Sequence, residues 1–414
     1  MERDFFDCED DKVRLLWLCN IVLPELSDEF GFKKPYAGGW LSGMWNELKK
    51  DSRYEMGICV PIKDYSRAKD GTYNNYKYYS FQWQGECDGQ DEQIERFKQI
   101  IVDFNPDIIH IWGTEYIHAN SMIKACKEMN IVEKVLINIQ GLLYKCTECY
   151  KFGLDLSYSD ATIESMEKKQ KYEIEDLLMV QYISGRTDWD KESVLHINPK
   201  LKYYHCGEIL REIFYGNYYW KYDTCDKYTI LISQANYPLK GLHLILKPLG
   251  MLAKEYPMLK IRICGENPID NKKIYGKIIQ EMIKENDLEN TIVFIGPQSE
   301  KEMLKEYLTA NVFLSSSIIE NSSNSICEAI SLGVPVVASC VGGTKSIVKN
   351  LNNGYLYSLG DEEKAVEYIK MIFENRNIAE TLSLNEIKTS KEINDKDKCC
   401  ESLKTIYNAI FYNN

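Results

Sequence analysis

Two glutamates, Glu320 and Glu328, stand eight positions apart in the stretch formed by residues 320–343. Apolar runs at 312–314 and 334–338 flank them, which predicts a strand, a polar loop, a short helix and a second strand that closes on a glycine turn. Because a helical turn takes about 3.6 residues, one glutamate should lie in the loop and the other about two turns into the helix. The two carboxylates would then face opposite ends of one elongated ligand.

Small polar residues fill the loop between the two glutamates, namely Asn321, Ser322, Ser323, Asn324 and Ser325. Serine and asparagine are common at helix N-termini, where backbone N–H groups remain free. Free amides at the positive end of a helix suit a phosphate group. Carboxylates accept hydrogen bonds from sugar and ribose hydroxyls, so an anion site between two acids is typical of a nucleotide-sugar site.

The elements that would position these residues form a regular alternation in the second half of the chain. Apolar runs at 229–233, 261–264, 292–295, 312–314 and 334–338 are separated by helical patterns, which predicts a doubly wound parallel sheet. Residues 197–214 have few periodic apolar positions and should contain the connection between domains. We therefore predict an α/β chain with domains at 1–205 and 206–394 and a final helix, about 395–414, that packs back on the first domain.

The first half shows a similar alternation, beginning with the apolar run at 13–18. Because open α/β sheets bind ligands at the carboxyl ends of their strands, the polar residues there are candidates. A tyrosine-rich segment at 65–79 interrupts the pattern and is predicted to be a surface insertion or hairpin. The candidates after the strands of this half are Gly38, Gly39, His110, Trp112, Glu115, His118 and Arg186.

The second half resembles the retaining glycosyltransferases of family four, which have the GT-B fold. The resemblance lies in Glu320, Glu328, the segment EAISLGVPVVAS and the pair Gly342-Gly343. It implies two Rossmann-like domains that face one cleft. By this resemblance Glu320 holds the donor sugar, Glu328 holds the ribose, and the amides of the loop and of Gly343 hold the diphosphate.

The resemblance extends to Lys240-Gly241, where the lysine of the family meets the donor diphosphate. The family commonly carries an arginine a few residues earlier, whereas this chain has Gln234, Ala235 and Asn236. Either another cation, such as Arg186 or Arg211, reaches the phosphates, or the donor is held differently.

A second departure concerns the first domain. The family often carries a histidine two positions beyond His110, and Trp112 occupies that position here. His118 and Glu115 are the alternatives for a role near the reacting sugar, with His118 assigned as a catalytic candidate. The competing interpretation is that His110 is a packed core residue of its strand.

Composition limits the partners. The chain of 414 residues has a net charge of −12 and no block of basic residues, which argues against nucleic acid and against bulk attraction to anionic lipid. The apolar run near the N-terminus is too short for a membrane span or a secretory signal. We expect a cytoplasmic protein, and a peripheral contact with the inner face of a membrane remains open.

Neither metal nor disulfide chemistry is favoured by the sequence. The fourteen cysteines are scattered through predicted strands and helices, which indicates free thiols. Cys146 and Cys149 form a CxxC without a second Cys/His pair at zinc-binding spacing. Asp188 and Asp190 form a DxD after a strand, where aspartate is a good helix cap. We expect no metal and no cofactor besides the donor substrate.

The function predicted is metal-independent, retaining transfer of a sugar from a nucleoside diphosphate sugar to a hydroxyl acceptor. The acceptor could be a saccharide, a lipid-linked glycan or a protein. Two alternatives stay open, namely a nucleotide-sugar epimerase of the same fold and a non-catalytic sugar-nucleotide binding protein. The sequence does not determine the donor sugar, the base, the acceptor, the linkage or the oligomeric state.

Overall fold

A computed structural model describes residues 12–32, 39–83, 89–154, 161–270 and 274–413. Two sheets organise the chain, one in each half. Gly38, one of the candidates named above, lies outside the described residues.

The first sheet has eight strands in the order β3-β4-β2-β1-β5-β6-β7-β8. All neighbours are parallel except β3 and β4, which form an antiparallel pair. The strands are β1 (Val13–Leu18), β2 (Tyr54–Ile62), β3 (Gly71–Tyr73), β4 (Tyr76–Gln82), β5 (Ile108–Trp112), β6 (Val135–Asn138), β7 (Tyr182–Gly185) and β8 (Lys202–His205).

The tyrosine-rich segment forms the β3–β4 hairpin at the edge of this sheet. Asn74 and Asn75 both have positive φ, 46° and 70°, as a tight two-residue hairpin turn requires. β4 also pairs in parallel with β2. The segment is therefore a hairpin, as predicted, and its second strand is part of the sheet.

The second sheet has six parallel strands in the order β11-β10-β9-β12-β13-β14. Its strand order reverses between β9 and β12, and the crevice outside such a point is where open α/β sheets bind ligands. The strands are β9 (Thr229–Ile232), β10 (Lys260–Cys264), β11 (Ile292–Gly296), β12 (Val312–Ser315), β13 (Val336–Ser339) and β14 (Tyr355–Tyr357).

Helices cover the sheets and connect their strands. Those of the first half are α1 (Gly39–Leu48), α2 (Gln90–Phe104), α3 (Ile117–Glu128), α4 (Leu143–Cys149), α5 (Ala161–Met179) and α6 (Asp188–Ile197). Those of the second half are α7 (Leu242–Glu255), α8 (Ile274–Glu285), α9 (Glu300–Thr309), α10 (Asn324–Leu332), α11 (Thr344–Ile347), α12 (Glu362–Glu374), α13 (Arg376–Ile393) and α14 (Lys396–Phe411).

Side chains of β1 show how the first sheet is buried on both faces. Leu15 and Trp17 pack in one hydrophobic cluster, whereas Leu16 and Leu18 pack in the cluster on the other face. Successive side chains of a strand point to opposite faces, and a sheet covered on both sides has continuous apolar strands. The unbroken apolar run of β1 is thus a consequence of its central position.

The last helix returns to the first domain. The Tyr407 hydroxyl accepts a hydrogen bond of 3.0 Å from the Trp17 indole and lies 2.7 Å from Nδ1 of His110. Leu403 and Ile410 of α14 are fully buried in the cluster that contains Trp17. These contacts bring the end of the chain against β1 and β5.

Candidate functional site

A cavity of about 700 Å³ lies between the two domains. The first domain contributes Gly39, Gln140 and Arg186, and the connecting segment contributes Leu210 and Arg211. The walls from the second domain follow its strands or belong to α9 and α10, and include Gln234, Gly265, Glu266, Gln298, Tyr307, Lys240, Glu320, Ser322, Ser323, Asn324, Ser325 and Glu328.

At one end of the cavity Lys240 and Glu320 form an ion pair. Nζ of Lys240 lies 2.5 Å from Oε1 of Glu320, and the Ser317 hydroxyl donates a hydrogen bond of 2.7 Å to the same oxygen. Burial disfavours the ammonium, but the charges and hydrogen bonds of Glu320 and Tyr237 together outweigh burial, so the pKa of Lys240 is raised. Lys240 is therefore a permanent cation beside the carboxylate.

At the other end Glu328 is bound by two groups. Nε and Nη2 of Arg211 lie 2.8 and 2.7 Å from its Oε1 atom, and the Tyr307 hydroxyl donates a hydrogen bond of 3.2 Å to Oε2. Burial raises the pKa of Glu328, and the charge of Arg211 opposes that rise. Glu320 precedes α10, as predicted, whereas Glu328 is the fifth residue of α10 and so lies little more than one turn into the helix instead of the predicted two.

The N-terminus of α10 lies between the two ion pairs. Ser323 is the N-cap residue, but its side chain makes no capping bond and instead lies 3.0 Å from the Ser325 hydroxyl. The backbone N–H groups of the first turn are thus left without a capping side chain. Ser322 and Asn324 line the cavity at this point, so an anion there would meet the positive end of the helix.

Gly342 and Gly343 support the Glu320 loop from behind. Gly342 has φ +48°, and a Cβ at this position would lie 1.9 Å from the carbonyl oxygen of Glu320. The Gly343 N–H donates a hydrogen bond of 2.9 Å to that same oxygen. Neither glycine is a wall of the cavity. Their absence of side chains lets the turn after β13 hold the Glu320 loop in place.

Asn321 links the domains. Its amide oxygen accepts a hydrogen bond of 2.8 Å from Thr187, and its amide nitrogen donates to the carbonyl groups of Ile139 and Gln140 at 3.3 and 3.4 Å. It is not among the cavity walls. The structure therefore places Asn321 in the contact between the domains and beside the loop that carries Glu320.

On the first-domain side, Gly39 allows the start of α1 to approach Arg211. A Cβ at Gly39 would lie 2.2 Å from Cγ of Arg211. Arg186 lines the cavity but forms a buried ion pair with Glu208, and it donates a hydrogen bond of 3.1 Å to the carbonyl oxygen of Gln140. The charge of Arg186 is thus already paired with the carboxylate of Glu208.

The two aspartates of the DxD, Asp188 and Asp190, lie in the first turn of α6. Asp190 accepts hydrogen bonds from the backbone N–H groups of Arg186 and Thr187 at 2.9 and 3.2 Å, and with Thr187 it forms a capping box for α6. Over the described parts of the chain, no three or more His, Cys, Asp or Glu side chains cluster so that they could hold a metal ion.

The two candidate histidines of the first domain, His110 and His118, are buried away from the cavity. His110 stacks on Trp112 with ring centroids 4.2 Å apart, and burial lowers the pKa of His110. His118 lies 2.7 Å from the Asn20 amide oxygen, and burial, followed by the charge of Lys169, lowers its pKa to about 3. Neither histidine nor Trp112 lines the cavity.

Glu115 lies behind the cavity wall. It accepts a hydrogen bond of 3.2 Å from the Asn20 amide, and burial raises its pKa to about 7. A Cβ at Gly141 would lie 3.3 Å from Oε1 of Glu115. Gly141 follows Gln140, which lines the cavity, so Glu115 lies next to the chain segment that forms this wall. No sequence pattern pointed to Tyr307, which reaches Glu328 from α9 across 21 positions of the chain.

The chain is similar to known proteins in sequence and in fold. Residues 221–389 match the family described as Glycosyl transferases group 1. An uncharacterised glycosyltransferase of Methanocaldococcus jannaschii is 26% identical over 274 residues, and the aligned part spans 60% of each chain. The chain therefore spans less than two thirds of the length of that relative.

Solved structures match over the full length of the fold. Sucrose-phosphate synthase from Thermosynechococcus elongatus has a TM-score of 0.74 at 14% identity, with 97% of this chain and 100% of that chain covered. Anabaena HepE, solved in complex with UDP and glucose, has a TM-score of 0.68 at 14% identity, with 96% and 100% covered.

The solved structures show that the chain as a whole has the GT-B fold, and the match to the group 1 family covers residues 221–389 of the second half. The fold predicted from the sequence is thus confirmed. In the described residues no helix is both long and apolar enough to cross a membrane.

Proposed function

We propose that this protein is a glycosyltransferase that moves a hexose from a nucleoside diphosphate sugar to a hydroxyl acceptor. The observation that carries the proposal is the arrangement of Glu320, Glu328 and Lys240 around the uncapped N-terminus of α10 in one interdomain cavity. Acids at both ends and an anion site in the middle fit the hydroxyls and the diphosphate of a nucleotide sugar. The group 1 family match of the second domain supports the same reaction.

Each cavity residue has a role in this proposal. Glu320 accepts hydrogen bonds from hydroxyls of the donor sugar, and Glu328 accepts from those of the ribose. Lys240 and the α10 amides neutralise the charge that grows on the leaving diphosphate, an effect that is strong in a site that excludes water. The acceptor enters from the first domain, on the side of Gln140 and Glu115.

We further propose that the reaction retains the configuration of the sugar and needs no metal. The acceptor hydroxyl would attack from the face that the diphosphate leaves, and the departing phosphate oxygen would take the proton. Lys240 would supply the positive charge that a divalent cation supplies in metal-dependent enzymes. If so, treatment with EDTA should leave the rate unchanged, and NMR of the product should show the anomeric configuration of the donor.

The test is turnover of a panel of UDP-, GDP- and ADP-sugars, with and without simple saccharide and glycolipid acceptors. Acceptor-dependent release of the nucleoside diphosphate supports the proposal. Formation of an epimeric nucleotide sugar without acceptor would show the epimerase instead, and binding without turnover would show the non-catalytic alternative.

The variant Glu320→Gln tests whether Glu320 takes part in sugar transfer. The amide keeps the size of the side chain but removes its charge, and we expect the rate of sugar transfer to fall at least 100-fold. Glu289→Gln changes an exposed glutamate of the same domain and should leave the rate as it is. Equal rates in the two variants would contradict the assignment of Glu320.

A further inference from the structure

The first sheet has a reversal of strand order of its own. From β1 the strands run through β2 and β4 to β3 on one side and through β5 to β8 on the other, so the order reverses between β1 and β5. In open α/β sheets, ligands bind in the crevice outside the carboxyl ends of the strands at such a point. Asn20 follows β1 and Glu115 follows β5, so both stand at the position where the first domain is expected to bind a ligand.

Three side chains form a hydrogen-bonded network at this position. The Asn20 amide donates a hydrogen bond of 3.2 Å to Oε2 of Glu115, and Nε2 of His118 lies 2.7 Å from Oδ1 of Asn20. Because an amide oxygen only accepts, Nε2 of His118 carries the proton. His118 is buried, whereas Asn20 and Glu115 are half-buried. The buried imidazole thus fixes the amide, and the amide orients a carboxylate that a ligand can reach.

Two glycines keep the space around this carboxylate open. Gly113 has φ +97°, and a Cβ there would lie 2.1 Å from Oε2 of Glu115 and 2.8 Å from Nδ2 of Asn20. Burial raises the pKa of Glu115, and the backbone N–H groups of Glu115 and Gly141 and the Asn20 amide oppose the rise. An ionised carboxylate has about four lone-pair positions, so these three donors leave it able to accept from a ligand hydroxyl.

Helix α4 connects Glu115 with the sugar end of the donor site. It begins two residues after Gly141, and its Cys146 packs in a hydrophobic cluster with Ile319, which precedes Glu320. Burial raises the pKa of Cys146 to about 12, and nearby charges act in the same direction, those of Glu173, Glu115 and Glu320. Glu115 and Glu320 therefore lie near the same thiol. Under the proposed function Glu320 binds the donor sugar, so Glu115 is placed for the group that attacks that sugar.

The charge around this position is negative. Burial raises the pKa of Glu173, and the charge of Glu115 adds to the rise, so the two acids are neighbours. Cations of the region are engaged elsewhere, since Arg186 pairs with a buried glutamate and Lys169 lies 5.6 Å from the ring centroid of Tyr116. A phosphate or carboxylate on the acceptor would meet like charge that water screens little in a half-buried site. An uncharged hydroxyl group avoids this repulsion and donates to Glu115.

We propose that Glu115 accepts a hydrogen bond from a hydroxyl group of the acceptor, that Asn20 positions Glu115 for it, and that the acceptor group bound here is an uncharged saccharide. This inference rests on the proposed function and deepens it, because it assigns named residues and a class of acceptor to the first-domain side of the cleft. The hydrogen bond orients the attacking hydroxyl toward the donor sugar. The proton of that hydroxyl passes to the departing phosphate oxygen, so Glu115 does not act as a base.

The experiment is steady-state kinetics of the whole protein with its preferred donor. The neutral acceptors are the p-nitrophenyl glycosides of glucose, galactose, mannose and N-acetylglucosamine and glycolipids with the same sugars, and p-nitrophenyl glucuronide is the anionic counterpart. For the best acceptor we expect Glu115→Gln to lower kcat/KM at least tenfold, because an amide is a weaker acceptor than a carboxylate. The affinity for the nucleoside diphosphate, measured by calorimetry, should stay within threefold, since a loss confined to the acceptor is not expected from a general distortion of the cleft.

The variant Asn20→Ala tests the positioning role. It removes the amide that orients Glu115, and we expect it to lower the same kcat/KM at least tenfold with unchanged affinity for the nucleoside diphosphate. In the double variant Asn20→Ala/Glu115→Gln the value should lie within threefold of that of Glu115→Gln alone, because Asn20 acts through Glu115. Losses that multiply in the double variant would show that Asn20 does not act through Glu115.

Glu95→Gln is the control, because Glu95 is an exposed glutamate of α2 in the same domain, and it should leave the kinetics unchanged. If Glu115→Gln fails to fold, Glu115→Asp keeps the charge and withdraws the carboxylate by one methylene group. The same loss of at least tenfold in acceptor kcat/KM is expected for that variant.

The outcomes separate the two proposals. If the unaltered protein transfers sugar to no acceptor, the proposed function fails and the Glu115 inference falls with it. If it transfers sugar and Glu115→Gln stays within threefold, or loses affinity for the nucleoside diphosphate to the same degree, only the role of Glu115 is overturned. If the glucuronide is the best acceptor, the uncharged class of acceptor is overturned.

Discussion

Lys240 shows what a single residue contributes to this site. It ends the short 3₁₀ helix Pro238–Lys240, and Gly241, with φ +66°, is the N-cap residue of α7 directly after it. This turn holds the ammonium against Glu320, and Ser316 fixes the turn through a hydrogen bond of 3.0 Å to the Lys240 carbonyl oxygen. The Lys-Gly pair could be found in the sequence. Its carboxylate partner lies 80 positions away, and the sequence analysis did not pair the two residues.

At this scale we predict that Lys240→Gln lowers kcat of sugar transfer by about 100-fold or more, the range known for the loss of one donor that stabilises a leaving anion. Steady-state kinetics with the preferred donor measure the effect. Lys254→Gln is the control, because Lys254 is an exposed lysine of α7 that pairs with exposed Asp287. A kcat within threefold of the unaltered enzyme would refute the role of Lys240.

Glu115 gives a second prediction at the residue scale. Its folded-state pKa of about 7 lies above the ordinary value of 4.5, so the folded protein holds the proton more tightly than the unfolded chain. This stabilisation is present below pH 4.5 and is lost as the pH rises through about 7. Glu173, whose pKa is also raised to about 7 by burial, acts in the same direction.

We therefore expect the free energy of unfolding to fall between about pH 5 and pH 7, by at most about 1.4 kcal/mol per pH unit for each group. Glu115→Gln should reduce the slope of the free energy of unfolding against pH, since the amide cannot ionise. The slope that remains should come from Glu173. Urea unfolding at several pH values measures it, with exposed Glu164→Gln as the control. A slope unaltered by Glu115→Gln would show that Glu115 does not titrate in this range.

At the scale of elements, the strand–loop–helix unit β12–α10–β13 carries most of the site. Local patterns predicted this unit because its apolar runs and the small polar residues of its loop are all close in sequence. In the structure α10 ends at Gly333, which has φ +71°. The placement of Gly342 and Gly343 behind the Glu320 loop, by contrast, was not predicted by local patterns. Their contact with the Glu320 carbonyl depends on how β13 and its turn pack against the loop, which no local pattern encodes.

The turn after β13 can be tested with Gly342→Ala. A Cβ would collide with the Glu320 carbonyl oxygen at 1.9 Å, so the loop must move, and we expect the affinity for the donor to fall at least tenfold. Gly360→Ala is the control, because Gly360 has φ +88° but no atom within 4 Å of the added Cβ. Both variants lose about 1 kcal/mol or more of stability to backbone strain. Only Gly342→Ala should also lose donor affinity, and equal donor affinities would refute the supporting role.

At the scale of the whole molecule, the chain closes by returning α14 to the first sheet. Tyr407 joins three distant parts of the sequence, because its buried hydroxyl contacts Trp17 of β1 and His110 of β5. This contact and the stacking of His110 on Trp112 agree with the interpretation that His110 is a packed core residue and not a residue near the reacting sugar.

We predict that Tyr407→Phe lowers the free energy of unfolding by about 1–3 kcal/mol, because it leaves the Trp17 indole N–H without its acceptor in the core. Thermal or urea unfolding measures the change, and donor affinity should be unchanged because the site lies elsewhere. Tyr412→Phe, at a tyrosine that is 61% exposed, should have no effect on stability. Stabilities that agree between the two variants would show that the hydroxyl of Tyr407 is dispensable.

The sequence by itself determined the class of fold, the two sheets and the spacing of Glu320 and Glu328, because strands, caps and helical spacing depend on residues a few positions apart. Only the tertiary structure decided which partners these acids have. Arg211 reaches Glu328 across 117 positions, and His110 and His118 are directed into the core by packing rather than into the cleft. Such pairings depend on the summed packing of both domains, so the chain must fold before its cations, acids and histidines acquire their neighbours.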